Sequence, residues 1–174
     1  MGINALIEKI PDFGKDIRLN LETVLSPEGS PGLSPEQIGG VALATAYALM
    51  NQTVTDSIQA GPAASLSAEA KEAAKAAATI MGMNNVYYRT LHLLDDKEFG
   101  KMPARLRMNI LGRPGIPKVE FELMSLAVSA LSGCGMCINA HVHEVRKAGI
   151  TNEGIQSTIR IAAVLNAAKQ AIMI

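Results

Sequence analysis

Apolar positions recur every three to four residues along most of this 174-residue chain, the spacing of amphipathic helices and not the alternation of half-buried strands. The segment "NALIEKIPDFGKDIRLNLETVL" has this pattern, and Pro11 with Gly14 divides it into a short helix and a second one. "SPEGSPGLS" (26–34) is a Pro/Gly/Ser connection. "SPEQ" (34–37) then reads as a cap, a proline at the first helical position and an acidic first turn, opening a largely apolar helix from Gln37 to Asn51. "AGPAAS" (60–65) breaks the periodicity. It restarts at "SAEAKEAAKAAATIMGMNNVYYRTLHLL" (67–94), with a serine cap and Glu69 in the first turn.

The main irregular stretch is "DDKEFGKMPARLRMNILGRPGIPKVE", inside which "MPARLRMNIL" has the composition of a short helix. "KVEFELMSLAVSALSG" gives a helix ending at Gly133, and "CGMCINAHVHEVRKAG" gives the next, with Arg146 and Lys147 before a stop at Gly149. A threonine-capped helix from Thr151 closes the chain. The expected fold class is therefore all-α. One domain over 1–174 is expected, with an N-terminal helical half at about 1–95 and a second half at about 117–174 that carries the chemistry.

A faint internal repeat runs through these elements. "SAEAKEAAKAAATIMG" from Ser67 resembles "TNEGIQSTIRIAAVLN" from Thr151, 84 residues further on. The same offset lays "MNQTVTDS" (50–57) over "CGMCINAH" (134–141). Two unrelated alanine-rich helices with the same cap residues would give the same pattern.

Composition narrows the function classes. Aromatic residues are only 3% of the chain, so the helices must pack through alanine and other small side chains, which allows close approach. Sixteen basic residues balance sixteen acidic ones, leaving no global field to recruit nucleic acid or an anionic membrane. No apolar run reaches the ~18–20 residues of a membrane span. The N-terminus lacks the basic and apolar regions of a signal peptide, and Leu6 stands where a myristoylation motif wants Ser or Thr. The expected location is cytoplasmic, where a close cysteine pair is more often catalytic or metal-binding than a structural staple.

"SGCGMCINAHVHE" (132–144) holds both cysteines and two of the three histidines. On a helix at about 100° per residue, Cys137 lies about 60° and His141 about 20° from Cys134, whereas His143 falls on the opposite face. One turn separates the cysteines, within the ~4.4–6.8 Å Cα separation that a disulfide tolerates. His141, four residues after Cys137, is at contact spacing, and the first turn of a helix favours an anion. Such a thiol is lowered from ~8.5 toward neutrality and can attack a peroxide oxygen or a disulfide, with the second thiol resolving the product.

Two other readings of this segment stay open. Cys134, Cys137 and His141 supply three donors of a zinc site, although no second knuckle offers a fourth. Two buried cysteines can also be small core hydrophobes. On the preceding helix, Glu122 sits between Phe121 and Leu123, so its carboxylate is drawn toward the core, where it can assist a His–Cys pair; Glu120 also lies there, and the alternative for either is a solvated face. Arg105, Arg107 and His92 read as surface residues, and "MGMNN" (81–85) reads as close helix packing.

The stretch "GRPGIPKVEFELMSLAVSALSGCGMCINAHVHEVRKAGI", with "KDIRLNL" and "AAATIMGMNNVYYR", resembles the alkyl hydroperoxide reductase D family of the carboxymuconolactone decarboxylase-like superfamily over nearly the whole length. The resemblance implies an all-helical subunit in a homotrimer, with thiol peroxidase and disulfide reductase activity. It implies a peroxiredoxin partner of the alkyl hydroperoxide reductase C type, organic hydroperoxide substrates, and electrons from lipoylated components of 2-oxoacid dehydrogenases. By the same resemblance Glu122 and His141 form a proton relay, Cys137 is the peroxidatic thiol and Cys134 the resolving one. No bound cofactor or metal is implied beyond a redox-active Cys134–Cys137 disulfide. Two departures are Met136, where some members carry a histidine, and Met124, where an aromatic can stand. The alternatives are a lactone decarboxylase of the same superfamily, which needs no paired thiols, and a zinc-stabilised interaction module.

Overall fold

The computed structural model describes residues 2–174. Among them are eight α-helices: α1 (Ile3–Ile7), α2 (Lys15–Val24), α3 (Pro35–Leu49), α4 (Gln52–Gln59), α5 (Ala68–Leu93), α6 (Lys118–Ser132), α7 (Gly135–Lys147) and α8 (Asn152–Met173). No strand occurs among the described residues. The fold is all-α, as the periodicity predicts.

Local chemistry sets where the helices start. Ser34 accepts from the Gln37 backbone N–H while the Gln37 side chain accepts from the Ser34 N–H, a reciprocal capping box. Ser67 caps Ala70 and Thr151 caps Gly154 in the same way through their hydroxyls. Two expectations need correction. The helix expected over 37–51 stops at Leu49, because Met50 turns left-handed and Asn51 caps a separate helix, α4. "MPARLRMNIL" is not a helix: only a short 3-10 turn forms at Asn109–Leu111, preceded by Arg105 at positive φ. Pro103 lies inside this segment, and Arg105 takes a positive φ through which no α-helix continues.

The internal repeat is visible as a succession of helices. α3 and α6 are both 15 residues long and begin 83 residues apart. Asn51 and Cys134, the caps of the next helices, share that spacing, whereas the caps Ser67 and Thr151 lie 84 apart. A uniform offset of 84 is thus one residue out of register at the cysteines. In the corrected frame Val54 and Ile58, both fully buried, stand where the second half has Cys137 and His141. The first half fills these positions with core.

α6 is the central helix, packed by α3, α5, α7 and α8, and it is buried from Phe121 through Ser129. Small residues allow this crowding. A Cβ on Gly40 of α3 would lie 2.5 Å from Met124 Cε, so Met124 occupies the space that the glycine leaves. Met124 is 2% exposed, its flexible side chain filling this gap. Burying Phe121 and the large aliphatic side chains around it contributes about 1.5–3 kcal/mol each.

Candidate active site

α6 ends in a left-handed residue, Gly133 (φ 64°), and the Cys134 N–H reaches back to the Ser129 carbonyl. A side chain at that φ is disfavoured, so glycine makes the tight reversal into α7 possible. The turn leaves Cys134 as the cap of α7, and its Sγ accepts from the Cys137 N–H at 3.3 Å. The two cysteines form a disulfide, with their Cα atoms 5.3 Å apart. With both sulfurs joined, the thiolates that a zinc site would need are tied up in a covalent bond.

His141 lies one turn beyond Cys137, on the same buried face of α7. Its Nδ1 is 2.6 Å from Glu122 Oε2, across the α6–α7 interface. Its Nε2 faces the Met81 thioether of α5 at 3.2 Å. Both ring nitrogens therefore face acceptors, and a doubly protonated ring would find a partner for each N–H. Glu122 is only 7% and His141 8% exposed. A buried carboxylate is tolerable here because it is paired and hydrogen-bonded. Among the described residues no hydrogen bond joins the imidazole to either sulfur in this oxidised form.

Cys137 and His141 line a pocket of about 340 Å3 whose other walls include Met81, Asn84, Met108 and Met136. Cys134 is fully buried, whereas Cys137 keeps a small exposed area on the pocket. The surroundings are apolar, suited to the hydrocarbon part of a ligand. Cys137 Sγ also lies 4.0 Å from the Asn84 carbonyl oxygen.

The structure thus brings together Glu122, Cys134, Cys137 and His141. It leaves His143, His92, Arg105 and Arg107 exposed, away from the pocket. Periodicity missed Met81 and Asn84. "MGMNN" does serve packing, since Asn85 bonds the Val128 carbonyl, Ser129 and Ser132 of α6. Asn84, one residue earlier, meets the disulfide through its backbone carbonyl, while its buried side-chain Oδ1 has no hydrogen-bond partner among the described residues. Because that contact is made by the main chain, no side-chain pattern in the sequence signals it.

Comparison with known proteins agrees with this geometry. The pattern of the carboxymuconolactone decarboxylase family matches residues 97–172. A protein named alkyl hydroperoxide reductase AhpD from Rhodospirillum centenum is 54% identical over 167 residues, 96% of this chain and 88% of the relative. The chain belongs to the AhpD family. AhpD proteins of Coxiella burnetii (52% identical, 94% of this chain and 92% of the relative) and Brucella suis (51%, 97% and 94%) give the same result. The identity extends far beyond the segment that carries the cysteines, so family membership rests on the whole helical framework. No helix among the described residues is long and apolar enough to cross a membrane.

Proposed function

We propose that this protein is an antioxidant thiol oxidoreductase that reduces alkyl hydroperoxides through Cys134 and Cys137. The observation that carries the reading is a disulfide-forming cysteine pair at a helix start, opening on an apolar pocket beside a buried His–Glu pair. In the reduced enzyme Glu122 accepts the Nδ1–H of His141, which leaves Nε2 as the base. His141 takes the Cys137 proton, and the thiolate attacks the terminal oxygen of ROOH. The O–O bond breaks, Cys137 becomes a sulfenic acid, and the departing alkoxide takes the proton from His141 to leave as ROH. Cys134 then attacks the sulfenic sulfur and the disulfide forms. Its thiol proton leaves with the hydroxyl as water, so protons balance and the two thiols supply both electrons.

Reduction of the disulfide needs a dithiol that passes through a mixed disulfide and leaves oxidised. The proposed donor is a dihydrolipoyl group on a dehydrogenase-complex component, and the proposed electron acceptor besides free peroxide is a peroxiredoxin of the alkyl hydroperoxide reductase C type. Cys137 is the peroxidatic thiol. It is the cysteine that keeps a surface on the pocket, and Cys134 lies behind it as the resolving thiol. The protein acts as a homotrimer in the cytoplasm. The test supplies dihydrolipoamide and cumene hydroperoxide, with and without a peroxiredoxin. Dihydrolipoamide-dependent peroxide consumption is expected, and faster turnover with the peroxiredoxin. Retention of the disulfide in excess dihydrolipoamide would overturn the donor assignment, and loss of peroxide at the buffer-only rate would overturn the activity.

A further inference from the structure

The His141–Glu122 pair opens on two different clefts. His141 lines the apolar pocket with Cys137, whereas Glu122 lines a cleft of about 290 Å3 shared with Lys118, Glu144 and Lys147. The two oxygens of one carboxylate face opposite ways: Oε2 toward His141 at 2.6 Å, and Oε1 toward the Lys118 ammonium at 3.9 Å. The same ammonium is 2.5 Å from Glu144 Oε2, on the helix that carries His141.

Lys118 is out of place by helix electrostatics alone. It is the first residue of α6, where the positive end of the helix dipole disfavours a cation. A residue that breaks a local rule inside a working site is expected to gain its reason from that site. We propose that Lys118 is a positioning residue for the proton relay, holding the Glu122 carboxylate oriented toward His141 from the cleft behind the substrate pocket. This rests on the relay assigned above.

The surrounding charges are compatible with that role. The ionisable groups around Glu122 are Lys118 on α6 and His141, Glu144 and Lys147 on α7, with His143 adding to the field at Glu144. α5 presents Met81 to the imidazole. α3 and α8 cover other faces of α6 and give neither cleft a charged side chain among the described residues. The hydrogen bond that Lys118 donates to Glu144 raises its ammonium above the ordinary lysine range and holds Glu144 below the usual carboxylate range. Lys118 thus stays charged while the thiol titrates. Because it lies outside the substrate pocket, its effect falls on thiolate formation and not on peroxide binding.

The experiment follows thiolate absorbance against pH, and kcat and KM for cumene hydroperoxide, in the reduced full chain and in Lys118→Met, Lys118→Arg, Glu144→Gln and Glu122→Gln. Lys118→Met is expected to raise the ionisation midpoint and to slow kcat at neutral pH by about three- to tenfold, since an opposite charge this close shifts an ionisation by ~1–3 units when buried and less when exposed. KM should hold, activity should return at alkaline pH, and Lys118→Arg should behave as wild type. Glu144→Gln, which frees the ammonium for Glu122, should leave the midpoint unchanged or lower it. An unmoved midpoint in Lys118→Met beside a raised one in Glu122→Gln would overturn this role and leave the relay intact. If Glu122→Gln also left the midpoint unmoved, the relay itself would fall. A rise of KM with kcat unchanged would mark Lys118 as a substrate contact and overturn the proposal. Thermal melts accompany each variant, and a Lys118→Gln protein replaces Lys118→Met if the latter does not fold.

Discussion

Glu122 and His141 meet at 2.6 Å across the α6–α7 interface, both buried, with the second ring nitrogen 3.2 Å from the Met81 thioether at the wall of the cysteine pocket. If this pair deprotonates Cys137, His141→Ala and Glu122→Ala should each raise the apparent thiol pKa. Each should slow peroxide reduction at neutral pH by about 10²–10⁴-fold, the usual worth of a general base. Because they act as a unit, the double variant should be little worse than the poorer single one. Much of the loss should return at alkaline pH, where the thiolate forms unaided. A pH–rate profile checks this; wild-type rates and titration in Glu122→Ala would remove the carboxylate from the relay.

The cysteines have unequal positions, so their variants should differ. Cys137→Ser should abolish peroxidase turnover. Cys134→Ser should retain the first chemical step and accumulate a single sulfenic acid on Cys137, detectable by dimedone labelling and mass spectrometry. Sulfenic acid on Cys134 in the Cys137→Ser protein, with turnover retained, would reverse the assignment.

Oxidised protein should show no thiols to an alkylating agent until it is reduced, and no stoichiometric zinc. The disulfide engages both sulfurs, and a fourth donor near Cys134, Cys137 and His141 is not evident from the sequence. One tightly bound zinc per chain, with thiols that become reactive on chelation instead of reduction, would restore the metal reading.

Gly133→Ala places a Cβ at φ 64°, where nothing lies within 4 Å to clash, so the effect isolates backbone strain. An L residue there costs about 1–2 kcal/mol. For a chain of this length that lowers Tm by about 2–8 °C. The turn also sets Cys134 as the helix cap, so the disulfide should become easier to reduce. Titration with a dithiol buffer and a thermal melt check the two effects. An unchanged Tm would show that the turn relaxes into another conformation.

A single chain leaves Met50, Val86 and Leu93 exposed along α5 and the end of α3. Scattered apolar residues are normal, but Met50 lines a second apolar cleft with Gly82 and Val128. The proposed homotrimer should show by light scattering as three times the 18.4 kDa of one chain. A monomer mass at micromolar concentration would dismiss it.

Much of this protein is determined locally and is therefore legible in its sequence. Ser34, Ser67 and Thr151 open helices because a hydroxyl satisfies N–H groups two or three residues away, an interaction that needs no tertiary partner. The Cys134–Cys137–His141 face follows from helical pitch, and Gly133 marks its own turn. Local reading failed where the backbone leaves the right-handed helical region: Arg105 takes a positive φ inside "MPARLRMNIL", and Met50 does so at the end of α3.

The chemistry of the site belongs to the tertiary structure. Glu122 alone is a carboxylate between apolar residues; its pairing with His141 arises when α6 and α7 pack face to face. Met81 and Asn84 reach the site from a helix more than fifty residues upstream of Cys137. The Lys118–Glu144 bridge joins residues 26 apart. Hydrogen bonds and ion pairs act over a few ångströms in space, and helical periodicity extends only about one turn along the chain. The sequence therefore determined which residues share a helix face, and the packing of α5, α6 and α7 decided which faces meet.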